Sequence, residues 1–452
     1  MNHAPKFVLV AALLFVSHSA LALNRLAEKQ LVNHSSEDTE PAIISYRFSG
    51  VDYNCAVWMN FNPTVGGNPT SKLQYTAWAS NGSSVTGFIP DIASGARHAD
   101  PVLVRDPAQA HRLYLVGLVV NEGLFSVMVW TSSDGGVSWT SPAVVSSSTS
   151  PRLDKPVAAM GPLGKLWISW VRSTTFASEL RLRSGTRSGS NWVWGTERLV
   201  SAGTNQPRHT VHGPQLMVES STVAYVLYTD YDNGTNYGRI GLIRYDDSNA
   251  TFTKLNDATN DTSAETIYTG VRDDDYLQMG TVRLLAGTVP SARLDQFRSR
   301  IVVTWHERNG ALRSRIRFAS YETDTFDPTR NWTVLTIGTS GGHDVLPALE
   351  VDFDTGRVLV AWYAFWYNQP RYSNVGRIIN FATNTPQVGA QDDITLRQGN
   401  ITSLSDIAGQ PGDKILGDYH EVGYSNGSFK VAQIIVAPTS DPWTFTVQSQ
   451  YP

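Results

Sequence analysis

A hexapeptide that runs as a strand and ends on an aromatic ring recurs along this chain. That recurrence constrains the fold more than any other feature. The copies are "YNCAVW" from Tyr53, "KLWISW" from Lys165, "VAYVLY" from Val223, "RIVVTW" from Arg300 and "RVLVAW" from Arg357, with weaker copies "RLYLVG" from Arg112 and "SFKVAQ" from Ser428. Successive copies lie roughly 53 to 77 residues apart, within the range of a repeated four-stranded sheet. Upstream of most copies sits a strand opened by polar residues: "HADPVLV", "LDKPVAA", "HGPQLMV", "HDVLPALEV" and "GDYHEVGY". Downstream come a third strand, a turn and a fourth strand.

A single twisted sheet cannot bury both of its faces, so such units stack radially and hide them against one another. The expected fold class is all-β, a β-propeller of four-stranded antiparallel blades. The copies give seven blades, or six if the first and last share one. Composition agrees: charged residues are only 17%, while aromatics reach 10% with 13 Trp and 18 Tyr, a balance that favours sheet. No long amphipathic helix is evident. The segment "AIISYRFS" (42–49) is expected to supply the outer strand of the short last copy and so close the ring. Cys55 is the only cysteine, so no disulfide braces the fold, and its place in a strand-like run predicts a packed thiol.

The net charge of −4 and pI near 6.2 exclude a basic surface for nucleic acid. Lys6, the apolar run Phe7 to Val16 and the small residues Ala20-Leu21-Ala22 read as a secretory signal peptide. No later stretch has the apolar length of a spanning helix. The expected organisation is a signal peptide at 1–22, a poorly ordered N-terminal segment at 23–40 and a single propeller at 41–452. The mature chain is expected to be monomeric, to span no membrane, and to be secreted or periplasmic.

The string "SSDGGVSW" (132–139) falls between the third and fourth strands of its repeat. Gly135 and Gly136 can take the positive φ of a tight hairpin, and the Asp134 carboxylate can accept from the turn's own amides. Trp139 can pack between neighbouring blades, so every conspicuous residue has structural work. Ser132, Asp134, Gly136 and Trp139 resemble the Asp-box (BNR) motif of sialidase-like β-propellers, with degenerate relatives in "SGSNWVW", "DPTRNW" and "SDPW". The resemblance covers roughly residues 40 to 450. It implies the fold and a bowl-shaped site around the axis, on the face opposite the motif. It does not imply one activity, because that superfamily includes sialidases, other glycosidases, polysaccharide lyases and lectins.

The loops of that opposite face carry a polar ring: Arg97, His98 and Asp100; Arg152, Asp154 and Lys155; Arg208, His209 and His212; Arg272, Asp274 and Tyr276; His343 and Asp344; Asp418, Tyr419 and His420. With His306, six of the ten histidines would gather there. An Asp before an inner strand can equally cap backbone amides, and a lone His can be a hydrogen-bonded scaffold residue. "RHTVHG" departs most from the repeat. A second departure, "WYAFWYNQPRY" (362–372), offers Trp366, Tyr367 and Tyr372 as sugar-stacking rings and Arg371 as partner for a carboxylate or sulfate.

These residues suit a glycan or polysaccharide as partner. In a polysaccharide lyase, Arg208 would neutralise a uronate carboxylate while His209, His212 or Tyr276 moves protons. In a hydrolase, Asp274 and Glu307 would be the carboxylate pair. Arg97, His98, Arg152, Trp366, Tyr367 and Arg371 would bind substrate. The Arg-Ile-Pro signature of true sialidases is absent from the first repeat, where "SYRFSG" stands instead. No compact metal-ligand spacing stands out, and no cofactor is expected. The rival reading is a non-enzymatic glycan- or protein-binding propeller, of lectin or adhesion type. The dissimilar loops favour one axial site over repeated equivalent ones.

Overall fold

A computed structural model describes residues 24–30, 37–62, 70–109, 111–173, 178–202, 209–232, 237–254, 268–271, 276–279, 282–285, 289–308, 314–323, 332–338, 342–365, 371–382, 385–400, 406–407, 410–415, 421–436 and 440–448. Nearly all of them are strand. The first sheet runs Glu37–Phe48, Val51–Asn62, Thr70–Ala79 and Ser84–Phe88, each strand antiparallel to the next. The second is Arg97–Arg105, Leu113–Asn121, Leu124–Ser132 and Ala143–Ser148. The third and fourth open with Arg152–Met160 and His209–Val218, the fifth and sixth, joined by one parallel pair between Ser314 and His343, with Ser291–Asp295 and His343–Val351. The last joins Glu421–Ser425, Ser428–Val436 and Ser440–Gln448 to an outer strand from the far N-terminal side, Asn24–Gln30.

This closure corrects two expectations. Residues 42–49 do not close the last sheet; most of them belong to the innermost strand of the first, and Asn24–Gln30 takes the closing role. Residues 24–30 and 37–40, expected to be poorly ordered, are strand.

The first strands touch one another in cyclic order, the last one meeting the first again. Each hydrophobic cluster straddles one seam of this ring. Val57, Leu73, Leu115 and Trp130 fill the first seam, Val129, Leu166 and Trp170 the second, Val171, Leu180 and Tyr228 the third. Leu227, Ile240 and Trp305 fill the next, then Phe318, Ile337 and Trp362, then Leu359 and Val431. Ile43, Trp58 and Ala432 close the circle. The chain is a β-propeller.

Every copy of the repeated hexapeptide is the second strand of its sheet. Its terminal aromatic packs into the seam with the preceding sheet: Trp58, Trp170, Tyr228, Trp305 and Trp362 all do so. The repeat is therefore the seam filler. Where the second sheet has Gly117 instead, Trp130 of the third strand occupies that seam, and a side chain at Gly117 would crowd it. Cys55 is fully buried, as expected.

Candidate functional site

Five inner strands carry the same irregularity near their starts. Glu40-Pro41, Asp100-Pro101, Lys155-Pro156, Gly213-Pro214 and Leu346-Pro347 each pair a residue at φ 47 to 53° with a proline, at a break in the ladder register. Proline donates nothing to the ladder, so a bulge is one of the few places where a strand inside a sheet tolerates it. Positive φ costs a non-glycine residue about 1 kcal/mol or more. Surrounding packing must hold it, because a residue before proline otherwise prefers extended backbone. Four of these prolines stand in strings quoted above and Pro41 in none. The residues are visible in the sequence, but the bulged conformation they share is not.

The bulges bring three charged side chains together at the axis. Lys155 Nζ lies 3.5 Å from Asp100 Oδ1 and 4.0 Å from Glu40 Oε1, with all three residues buried. Burial pushes the Glu40 carboxyl up to about 8; the Lys155 charge opposes the rise, while Asp100 and Asp154 add to it. Asp100 shifts up for the same reason, and its carboxylate neighbours raise Lys155 to about 12.

Above this plug lies the face where the inner strands begin, called the upper face. Counting back from the prolines, Arg97 and Arg152 occupy one equivalent position in adjacent blades, and both are exposed. The Arg152 guanidinium lies 5.8 Å from the centre of the Phe125 ring. Asp154 and His212 share a second equivalent position, both half-buried.

The remaining expected residues divide. His98 is fully buried, and burial lowers its imidazole to about 4, so it stays neutral at ordinary pH. Its Nε2 lies 3.1 Å from Asp91 Oδ1, and Lys72 binds the other oxygen of that carboxylate. What solvent meets here is Asp91, which the sequence reading missed because it sits in the connector before the inner strand. Glu307 is buried at the end of a second strand, held by Arg315 with Arg317 at 3.5 Å. His306 Nδ1 accepts from Leu346 N–H at 3.3 Å, His343 lies against Ser314, and Trp362 Nε1–H donates to Asp344 at 3.2 Å. These side chains are committed to the scaffold, as is Tyr372, which is fully buried against Tyr363 and Phe365 and so cannot stack on a sugar.

His209 begins the fourth inner strand and Arg371 the third strand of the sixth sheet. Tyr276 lies in a small extra sheet, where the connector strand Val282–Leu285 pairs in parallel with Gln410–Ile415 of another connector. Both connectors feed inner strands, so this sheet rises on the upper face. Arg208, Arg272, Asp274, Trp366, Tyr367, Asp418, Tyr419 and His420 lie outside the described residues.

The octapeptide is on the lower face. Ser132 Oγ–H donates to Asp134 Oδ1 at 2.8 Å and accepts from Gly136 N–H at 2.8 Å, while Ser138 N–H donates to Asp134 at 2.9 Å. Burial works to raise the Asp134 carboxyl, but the Ser138 and Ser132 hydrogen bonds outweigh it and hold the group below its usual range. Gly136, at φ 92°, passes so close to Cys55 that a Cβ would lie 2.6 Å from its sulfur. Trp139 meets Tyr75 of the first sheet, whose hydroxyl donates to Val137 O at 2.8 Å. The turn clasps two blades, as expected of it.

Below the plug the axis opens into a cavity of about 600 Å³, walled by inner strands and reaching Arg105, Met160, Asp354 and Asn426 at its lower end. Inside it, Arg293 Nε donates to Glu350 at 2.9 Å and Arg293 Nη2 lies 3.5 Å from Glu421. Glu421 also accepts from Ile43 N–H at 2.9 Å. Burial pushes its carboxyl up to about 7, against the pull of Arg293.

No protein-family model matches the chain, and no curated protein is significantly similar to it. Solved structures do share its fold. A polysaccharide lyase superposes with a TM-score of 0.50 at 8% identity, covering 90% of each chain. An ulvan lyase, described as a new polysaccharide lyase family, gives 0.51 at 9% identity, over 94% of this chain and 96% of its own. The same enzyme bound to GlcA(1-4)Rha3S gives 0.51 at 8%, over 93% and 96%.

Proposed function

We propose that this protein is an exported, monomeric, seven-bladed member of the sialidase-like propellers that acts on an acidic polysaccharide at its upper face. The observation that carries the reading is the pair Arg97 and Arg152, presented to solvent from equivalent positions of adjacent blades, with Arg152 beside the Phe125 ring. Exposed guanidiniums next to a ring suit a polymer that alternates carboxylate or sulfate with apolar sugar faces. Lyases acting on such polymers use this fold, which makes the chemistry compatible with the scaffold.

The division of labour suits β-elimination. Arg208 would neutralise the uronate carboxylate. His209 or His212 would take the C5 proton, the electron pair would form the C4–C5 double bond, and the C4–O bond would break. Tyr276 would give the leaving oxygen its proton. Arg97, Arg152, Arg371, Trp366 and Tyr367 would hold flanking sugars, with His98 acting from behind through Asp91. Hydrolysis by Asp274 and Glu307 is the weaker alternative, because the Glu307 carboxylate is buried and already bound by arginine.

The test is purified protein on uronate polysaccharides, sialosides and neutral glycans, with unsaturated uronate and reducing ends read separately. Unsaturated uronate from wild type, lost in His212→Ala with folding intact, is the expected result. Retained glycan binding with no product from any substrate would make this a binding protein instead.

A further inference from the structure

The axial cavity holds charges that the upper face does not use, and most of them are spoken for. Arg293 is shared by Glu350 and Glu421, Lys155 by Glu40 and Asp100, and Asp354 accepts from the Tyr424 hydroxyl at 3.2 Å. Arg105 is different. Its guanidinium lies 4.7 Å from the centre of the Tyr46 ring, and it forms no ion pair among the described residues. Its Nε is buried with no hydrogen-bond partner. Ser425, only 8% exposed, lines the same cavity, and its hydroxyl also lacks a partner. The Ser425 oxygen is shut off from the cavity, but the Arg105 guanidinium lines it with no carboxylate already bound among the described residues.

We propose that this cavity is a second binding site, entered from the lower face, for a small ring-sized carboxylate such as a uronic acid monomer. The volume falls within the range of small-molecule sites, roughly 300 to 1,000 Å³. The Arg105 fork matches the two oxygens of a carboxylate. Tyr46, Tyr424, Met160 and Phe353 supply apolar surface for the body of the ligand. Neutral Tyr46 is suited to this role, because burial raises its hydroxyl to about 12. The uronate identity rests on the acidic-polysaccharide reading; the carboxylate chemistry rests on Arg105 alone. Such a site would let a product of the upper face act at a distance from it.

Isothermal calorimetry with D-glucuronate separates the two. Wild type and Arg152→Gln are expected to show the same binding site, absent from Arg105→Gln and on the order of tenfold weaker in Arg105→Lys, which keeps the charge and loses the fork. D-glucose, which lacks the carboxylate, is expected to give no heat. Unfolding midpoints of all variants, measured without ligand, identify any loss due to misfolding, and Arg105→Lys then carries the test. No glucuronate binding to wild type, or binding unchanged in both Arg105 variants, would overturn the proposal. Loss in Arg152→Gln alone would do the same, placing the carboxylate on the upper face. Turnover is not the readout, so a protein with no lyase activity can still pass this test, and an active lyase can fail it.

Discussion

Two triads of acid, cation and acid stand on the same axis, and they are built differently. The upper one, Glu40, Lys155 and Asp100, hangs on bulged backbone at positive φ and is buried. The lower one, Glu350, Arg293 and Glu421, hangs on regular strand and faces the cavity. Lys155 is a point charge at 3.5 and 4.0 Å from its acids; Arg293 reaches its two acids with separate nitrogens, at 2.9 and 3.5 Å. A planar fork can satisfy two carboxylates from an unstrained strand, whereas a single ammonium needs the acids brought to it. The bulges bring them. The comparison suggests that backbone strain substitutes for side-chain geometry at the plug.

Removing the cation should separate the triads most clearly. Lys155→Met leaves two buried carboxyls facing each other, and thermal or denaturant unfolding should show a loss of about 3–5 kcal/mol at neutral pH. Adding Glu40→Gln and Asp100→Asn should recover much of it. A Lys155→Met protein as stable as wild type would mean that the plug is held by packing, not charge. Arg293→Leu should cost less, about 1–3 kcal/mol, because its partners line an open cavity and Glu421 keeps the Ile43 amide. An equal loss in both variants would erase the distinction.

The pH profile tests both triads at once. Glu40 and Glu421 have folded-state values raised to about 8 and about 7, so the fold favours their protonated forms. Their contribution is fully present below the unfolded value, near 4.5, and is lost as pH rises through 7 and 8. Stability should therefore fall between about pH 5 and pH 8. Glu421→Gln should flatten the lower part of that fall and Glu40→Gln the upper part. A profile that rises over this range would contradict both.

Much of the scaffold was legible because its cause is local and repeated. Each hexapeptide carries its own seam-filling aromatic at a fixed position, so "KLWISW" and "RIVVTW" declare the same role wherever they stand. The octapeptide was readable for the same reason: glycine, serine and aspartate make a turn whose hydrogen bonds close within seven residues. The candidate site was less legible. Asp91 carries no periodic signal, and nothing in "RHADP" says that the histidine turns inward and the arginine outward. Glu307 stood out as a carboxylate but not as one already bound to Arg315. The strand at 24–30 pairs with residues more than four hundred positions away, so no local pattern could assign it.

The sequence by itself determined the sheet-forming period, the seam residues and the clasp, because short-range spacing sets which side chains share a strand face. Only the tertiary structure decided which charges meet. Glu40, Asp100 and Lys155 are scattered along the chain and become neighbours because three bulges stand at the same height around one axis. Among the described residues, Arg105 is left without an ionic partner. Ring closure sets those distances, and it is a property of the whole circle rather than of any one blade.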